Sequence, residues 1–130
     1  MISFLRDESN SPSFDSDERL SALGSLLTSD VQTEKVWNLN LLAWIDDVRT
    51  GRLPEQSWQG NSWLAYITPG GMDLEDLYSD DWRGSYSLDE AQRVLLDYLR
   101  FLAPSAVDRA RAVADWEEEN GREHPLRAQV

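Results

Sequence analysis

The stretch SWLAYITPGGMDLEDLY, residues 62–78, decides the fold class. Trp63, Leu64, Ala65, Tyr66, Ile67 and Thr68 are mostly aromatic, aliphatic or β-branched, which suits a largely buried strand. Pro69, Gly70 and Gly71 follow as turn chemistry, with glycine supplying positive φ. Met72, Leu74 and Leu77 continue as a second strand, so 62–78 reads as a β-hairpin. Ser85 and Tyr86 are placed to add a short third strand.

Helical periodicity flanks this hairpin on both sides. Downstream, Ser87 and Glu90 form a capping-box pattern ahead of Leu88, Ala91, Val94, Leu95, Tyr98, Leu99 and Leu102. Pro104 stops that helix, because it lacks an N–H and biases Ala103 away from helical geometry. A fourth helix starts at Ser105 with Ala106, Ala110, Val113 and Ala114, and dissolves into Glu117, Glu118 and Glu119 before Gly121. Upstream, Trp37, Leu41, Trp44, Ile45 and Val48 make one face of a helix over 33–50, with Gly51 at its C-terminal end. Leu20, Leu23 and Leu27 predict a first helix over 17–28, interrupted by Gly24. The expected fold is α+β, a small antiparallel sheet packed with about four helices.

Residues 1–16 show neither period, and 122–130 are polar. The reading is a flexible N-terminal arm (1–16), a single α+β domain (17–121) and a flexible tail (122–130). A chain of 130 residues suits one domain, and 41% hydrophobic residues with six tryptophans supply a core. No cysteine is present, which removes disulfides, thiolate metal sites and thiol nucleophiles. The opening residues do not read as a signal peptide and no apolar run reaches membrane-spanning length, so a cytoplasmic protein without a membrane partner is expected.

The 24 acidic and 12 basic residues give a net charge of −12, and all the basic residues but Lys35 are arginine. This field repels phosphate backbones, so nucleic acid is not an expected partner, whereas a basic protein would be attracted. Catalytic signals are sparse. The single histidine, His124, lies in the polar tail with no positioned neighbour, and no nucleophile-elbow, phosphate-loop or dinucleotide pattern occurs. Asp46 and Asp47, Asp80 and Asp81, and Glu117 to Glu119 are adjacent in sequence, so their side chains diverge. No catalytic residue, cofactor or metal site is expected; a hydrolase using two carboxylates brought together by the fold is the minor alternative.

The informative stretch is Asp73–Glu90, in which seven carboxylates oppose the single Arg83 among Tyr78, Trp82 and Tyr86. Asp73, Glu75, Asp76, Tyr78, Asp80, Asp81 and Trp82 are the candidate partner-binding residues, since aromatics anchor interfaces and acids steer a basic partner. A solvated hairpin edge whose aromatics cap the core is the competing reading. Trp37, Trp44 and Trp63 are assigned to the core, Trp58 and Trp82 to polar surroundings, and Trp116 is not assigned.

Trp44-Ile45-Asp46-Asp47-Val48, Gly51-Arg52-Leu53-Pro54 and Trp58-Gln59-Gly60-Asn61-Ser62-Trp63, followed by Gly71 to Tyr78 and the helix from Ser87 to Leu102, resemble one family of bacterial immunity proteins. These accompany contact-dependent growth-inhibition and related polymorphic toxins. The resemblance covers about residues 40–103. It implies a cytoplasmic protein that binds and neutralises a cognate toxin, commonly a nuclease, with no catalytic residues of its own. An adaptor or regulatory subunit for a non-toxin protein is the alternative binding class.

Overall fold

The computed structural model describes residues 1–130 and has an α+β architecture with two antiparallel sheets. The first sheet is a hairpin of β1 (Ile2–Arg6) and β2 (Pro12–Ser16). A 3-10 turn (Glu18–Leu20) leads into α1 (Ser21–Ser25), which widens into a π-helical turn (Leu26–Val31). Then come α2 (Lys35–Arg49), β3 (Gln56–Gln59), β4 (Trp63–Thr68), β5 (Gly71–Asp76), β6 (Arg83–Tyr86), α3 (Leu88–Leu102) and α4 (Ala106–Asn120).

Strands β3 to β6 form a four-stranded meander in chain order. Its register sorts the side chains into two faces. Trp58, Ala65, Leu74 and Gly84 align across the sheet, and so do Ser57, Tyr66, Asp73 and Ser85. Trp63, Ala65, Ile67, Met72 and Leu74 are buried, while Ser57, Tyr66, Asp73 and Ser85 are exposed. So β4 is buried on one face and open on the other, where its composition alone suggested burial of nearly the whole strand. An antiparallel sheet tolerates that arrangement. The strand expected at Ser85 and Tyr86 is present and longer, and β3 is a fourth strand that the sequence reading missed. The positive φ of the hairpin turn falls on Gly71 (φ 145°), where a Cβ would lie 2.4 Å from the Tyr86 carbonyl oxygen.

Helices α1, α2 and α3 contact the buried face of the sheet, and α4 packs on α2. α3 has the expected buried stripe of Leu88, Ala91, Val94, Leu95, Tyr98 and Leu99, each large side chain contributing about 1.5–3 kcal/mol on burial. The capping box at its start is half formed. The Ser87 hydroxyl accepts from the Glu90 N–H, but the Glu90 carboxylate pairs with Arg19 rather than reaching back. α4 continues through the three glutamates to Asn120 and ends at left-handed Gly121. Its cap is the Ser105 hydroxyl, which accepts from the Asp108 N–H.

The two terminal segments, expected as a flexible arm and tail, form strands or pack on the rest of the fold. Residues 1–16 form the β1–β2 hairpin, which lies against α1 and α3. Phe4 meets the Tyr98 ring edge-on at 4.8 Å, and Phe14 sits over Gly24, where a Cβ would come within 2.4 Å of its ring. The glycine that weakened the helical pattern is therefore the seat of an aromatic side chain. Residues 122–130 pack through His124 and Leu126, both buried. His124 Nδ1 accepts from the Leu126 N–H, which leaves Nε2 to donate to the Leu39 carbonyl at 2.9 Å. Arg122 forks onto the buried Asp47 carboxylate at 2.6 and 3.2 Å and lies over the Trp116 ring.

Candidate functional site

The tryptophans divide between packing and surface. Trp63 is fully buried and its indole N–H donates to the Ser25 hydroxyl; Trp116 is buried and donates to Asn40 Oδ1. Trp37, assigned to the core by its helical spacing, is instead 38% exposed and stacks on Trp58 at 5.4 Å, closing the gap between α2 and the β3 edge. A seven-residue spacing fixes a helical face but not whether the end of that face is covered.

The turn from β3 into β4 is held by Asp30 in the π-helical turn. Its carboxylate accepts from the Ser62 N–H at 3.1 Å and the Trp63 N–H at 2.9 Å. Burial pushes the Asp30 carboxyl above its ordinary pKa, partly offset by those backbone N–H groups and reinforced by the nearby charge of Asp76. Gly60 lies against Asp30 so closely that a Cβ would be 2.3 Å from its Oδ2. The Gly60-Asn61-Ser62-Trp63 run is thus a turn built to meet a buried carboxylate, a structural role.

The seven sequence-selected residues fall on one strand and the loop that follows it, but not on one face. Asp73 and Glu75 project from the open face of the sheet on β5. Asp76 ends β5, and the loop from Leu77 to Trp82 turns back into β6. That loop is tied by its own backbone. The Asp76 carboxylate accepts from the Tyr78 N–H at 2.7 Å, the Asp76 N–H donates to the Trp82 carbonyl, and the Leu77 N–H donates to the Ser62 carbonyl. Arg83 donates to the Asp80 carbonyl.

Tyr78 stands out at the tip of this loop, 82% exposed. Trp82 is 40% exposed; its other face meets Trp63 edge-on at 5.0 Å and its indole N–H donates to the Ser21 hydroxyl at 3.3 Å. It therefore joins the two readings given above, capping the core and presenting an aromatic surface. Tyr86 does not belong to the surface group. It is buried, and its hydroxyl accepts from the Leu23 N–H and donates to the Arg19 carbonyl.

The charges also separate. Glu75 pairs with Arg83, Asp89 with Arg49 and Glu90 with Arg19, so these carboxylates are partly neutralised within the chain. Asp73, Asp76, Asp80 and Asp81 form no ion pair. In an exposed setting each contact to a partner's cation contributes only about 0.2–1 kcal/mol. Unpaired carboxylates on this loop (Asp76, Asp80, Asp81) and on the adjoining sheet face (Asp73) thus act more strongly on the rate of encounter than on the depth of binding.

Elsewhere, Asp46 turns to Arg49 while Asp47 turns inward to Arg122, which is the divergence expected of neighbouring helical residues. His124 is buried under Trp116, and burial holds its pKa below the ordinary value. Its two hydrogen bonds to the backbone make it a clasp for the C-terminal segment. No helix is long and apolar enough to cross a membrane. Comparison with protein-family models, with curated proteins and with solved structures finds no match to this chain.

Proposed function

We propose that this protein binds and neutralises a cognate protein toxin, a basic nuclease by preference, by covering its active surface. The observation that carries the reading is the set of unpaired carboxylates Asp76, Asp80 and Asp81 at and along the loop that bears exposed Tyr78 and half-exposed Trp82, with Asp73 on the adjoining sheet face. A nuclease surface that grips phosphate is rich in arginine and lysine, and a strongly acidic protein of net charge −12 is steered toward it. The loop's internal hydrogen bonds hold Tyr78 and Trp82 in place before contact, which lowers the ordering cost of binding. The residue pattern resembling immunity proteins points the same way.

The test is neutralisation. A candidate basic nuclease toxin domain, sought among the genes adjacent to this one, is produced with and without the protein, and growth and nuclease activity are measured. Rescue by the native chain, with association that slows steeply between about 50 and 500 mM salt, supports the proposal. Charge reversal in Asp80→Lys with Asp81→Lys is expected to slow association about tenfold at low salt while leaving dissociation nearly unchanged. Stable binding to a non-toxin complex, with no rescue, would replace this reading with an adaptor role.

A further inference from the structure

The open face of the four-stranded sheet carries a second feature, centred on a residue not selected from sequence and sharing only Asp73 and Glu75 with the selected group. Tyr66 stands at its centre on β4, 40% exposed, between Ser57 of β3 and Asp73 of β5. The chain leaves a cleft on each side of this ring. One, of about 430 Å³, runs along β3 and the end of β4, with Glu55, Ser57 and Thr68 in its wall. The other, of about 340 Å³, runs across β5 and β6, with Asp73, Glu75 and Arg83 in its wall. Tyr66 is a wall of both.

The chemistry of the two clefts matches. Each holds a carboxylate that no cation of the chain engages, Glu55 in one and Asp73 in the other; Arg83 is occupied by Glu75 at 3.3 Å. A phenol ring with a carboxylate on either side suits an arginine or lysine side chain lying along the ring with its charged end on the acid. Such a cation gains from both groups, whereas an anionic or purely apolar occupant leaves the carboxylates unpaired. An extended segment places alternate side chains on one face about 7 Å apart, so one strand can set a cation on each side of a single ring.

We propose that the uncovered face of the four-stranded sheet, centred on Tyr66, docks a basic protein segment that places an arginine or lysine side chain in each of the two flanking clefts. This rests on the reading of a basic protein partner and adds where and how that partner is held. β5 links the two regions, since Asp73 and Glu75 lie on the open face and Asp76 begins the Tyr78 loop.

The probe is a short peptide alternating arginine and glycine, titrated into the isotope-labelled full chain by NMR, with an alternating glutamate and glycine peptide as control. Shifts centred on Ser57, Tyr66, Thr68 and Asp73 with the arginine peptide alone are expected. Tyr66→Ala is expected to weaken binding about threefold to fivefold through loss of the ring's attraction for the cation. Tyr66→Thr keeps a strand-favouring residue, so the same weakening there separates the ring's contribution from any loss of folding. Asp73→Asn is expected to weaken binding further and flatten its salt dependence. Shifts confined to residues 77–82 and indifferent to both Tyr66 variants would overturn the proposal while leaving the neutralisation reading intact. Absence of peptide binding would also overturn it, and the growth-rescue assay decides the broader reading independently.

Discussion

Replacing Asp30 tests whether one buried carboxylate organises the start of the sheet. In Asp30→Ala the Trp63 N–H loses its acceptor at a fully buried residue, and the Ser62 N–H loses one at a partly exposed position where water can substitute. An orphaned buried N–H costs about 1–3 kcal/mol, and a hydrogen bond to a charged acceptor contributes about 1.5–3 kcal/mol. The carboxylate's own burial works against it, as its raised pKa shows, and returns part of this on removal. The expected net loss is about 2–3 kcal/mol. Asp30→Asn keeps an oxygen for Trp63 without a buried charge and is expected to lose about 1 kcal/mol or less. Urea unfolding followed by tryptophan fluorescence measures both, with unchanged m-values as the control for compactness. The pH dependence has a definite sign. Because the folded-state pKa lies above the unfolded one, the folded chain binds more protons between them, and the Asp30 contribution declines as pH rises through the folded pKa. The deficit of Asp30→Asn relative to the native chain should therefore be larger near the ordinary carboxylate pKa than at neutral pH. Equal stability of Asp30→Ala and Asp30→Asn, or a deficit that grows toward neutral pH, would refute the reasoning.

Four further outcomes follow from other contacts. Gly60→Ala forces a Cβ against the Asp30 carboxylate and should cost about 1–3 kcal/mol in urea unfolding. Arg122→Ala leaves the Asp47 carboxylate buried without its partner; a loss of about 3 kcal/mol is expected, largely recovered in the double variant with Asp47→Leu. His124 has a folded-state pKa below its unfolded value, so its stabilising contribution is complete above the unfolded pKa and is lost as pH falls through that value toward the folded one. Thermal melts of the native chain and His124→Gln on the acid side of neutrality should show a steeper loss of stability with falling pH in the native chain than in the variant. Tyr78→Ala should leave the unfolding midpoint unchanged, because the ring is almost wholly in solvent, while weakening toxin binding by about 2 kcal/mol in calorimetry.

The regular helices were legible because their signals are local. Ser87 and the 3.6-residue stripe behind it define α3, and Gly51 and Gly121 mark the ends of α2 and α4 with positive φ. The hairpin of β4 and β5 was legible from its turn and its composition. What escaped was structure whose stabilisation is tertiary. β1 and β2 alternate poorly because the hairpin buries only part of each strand, and Phe4 and Phe14 find their partners in Tyr98 and Gly24, far away in sequence. The C-terminal segment has few apolar residues; His124 holds it by meeting Trp116 and the Leu39 carbonyl across the fold, and Leu126 joins the core beside it. β3 is a four-residue strand of glutamine, serine and tryptophan that takes its conformation from pairing with β4. The candidate site was legible as composition and not as geometry. A run of acids announces charge, but only the register separates Asp73 on the sheet face from Asp80 in the loop, or shows that Glu75 is already paired. Tyr66 was taken as part of a buried strand because period-two alternation is masked when the outward positions, Leu64 and Tyr66, are themselves apolar or aromatic.

That masking bears on why the outward face of β4 has the residues it has. A sheet face left to solvent is served equally well by threonine, serine or lysine, and β3 and β6 largely follow that rule with Ser57, Gln59 and Ser85. β4 departs from it at Leu64 and Tyr66, the two outward positions in the middle of the sheet, where no helix covers them. Burial accounts for only part of this departure, since Tyr66 keeps 40% of its surface in water. The departure sets an amphipathic ring among carboxylates on an interior strand of the sheet, a position from which solvent is excluded once a flat partner arrives. Interface anchors gain most of their energy from such central positions, with a polar rim around them. The acidic loop at the end of β5 then serves encounter and the sheet centre serves retention, which predicts that loop charges alter association rates and Tyr66 alters dissociation. Measuring both rates for Asp80→Lys and Tyr66→Ala separates the two. A Tyr66 variant whose whole deficit lay in the association rate would place that ring at the rim instead.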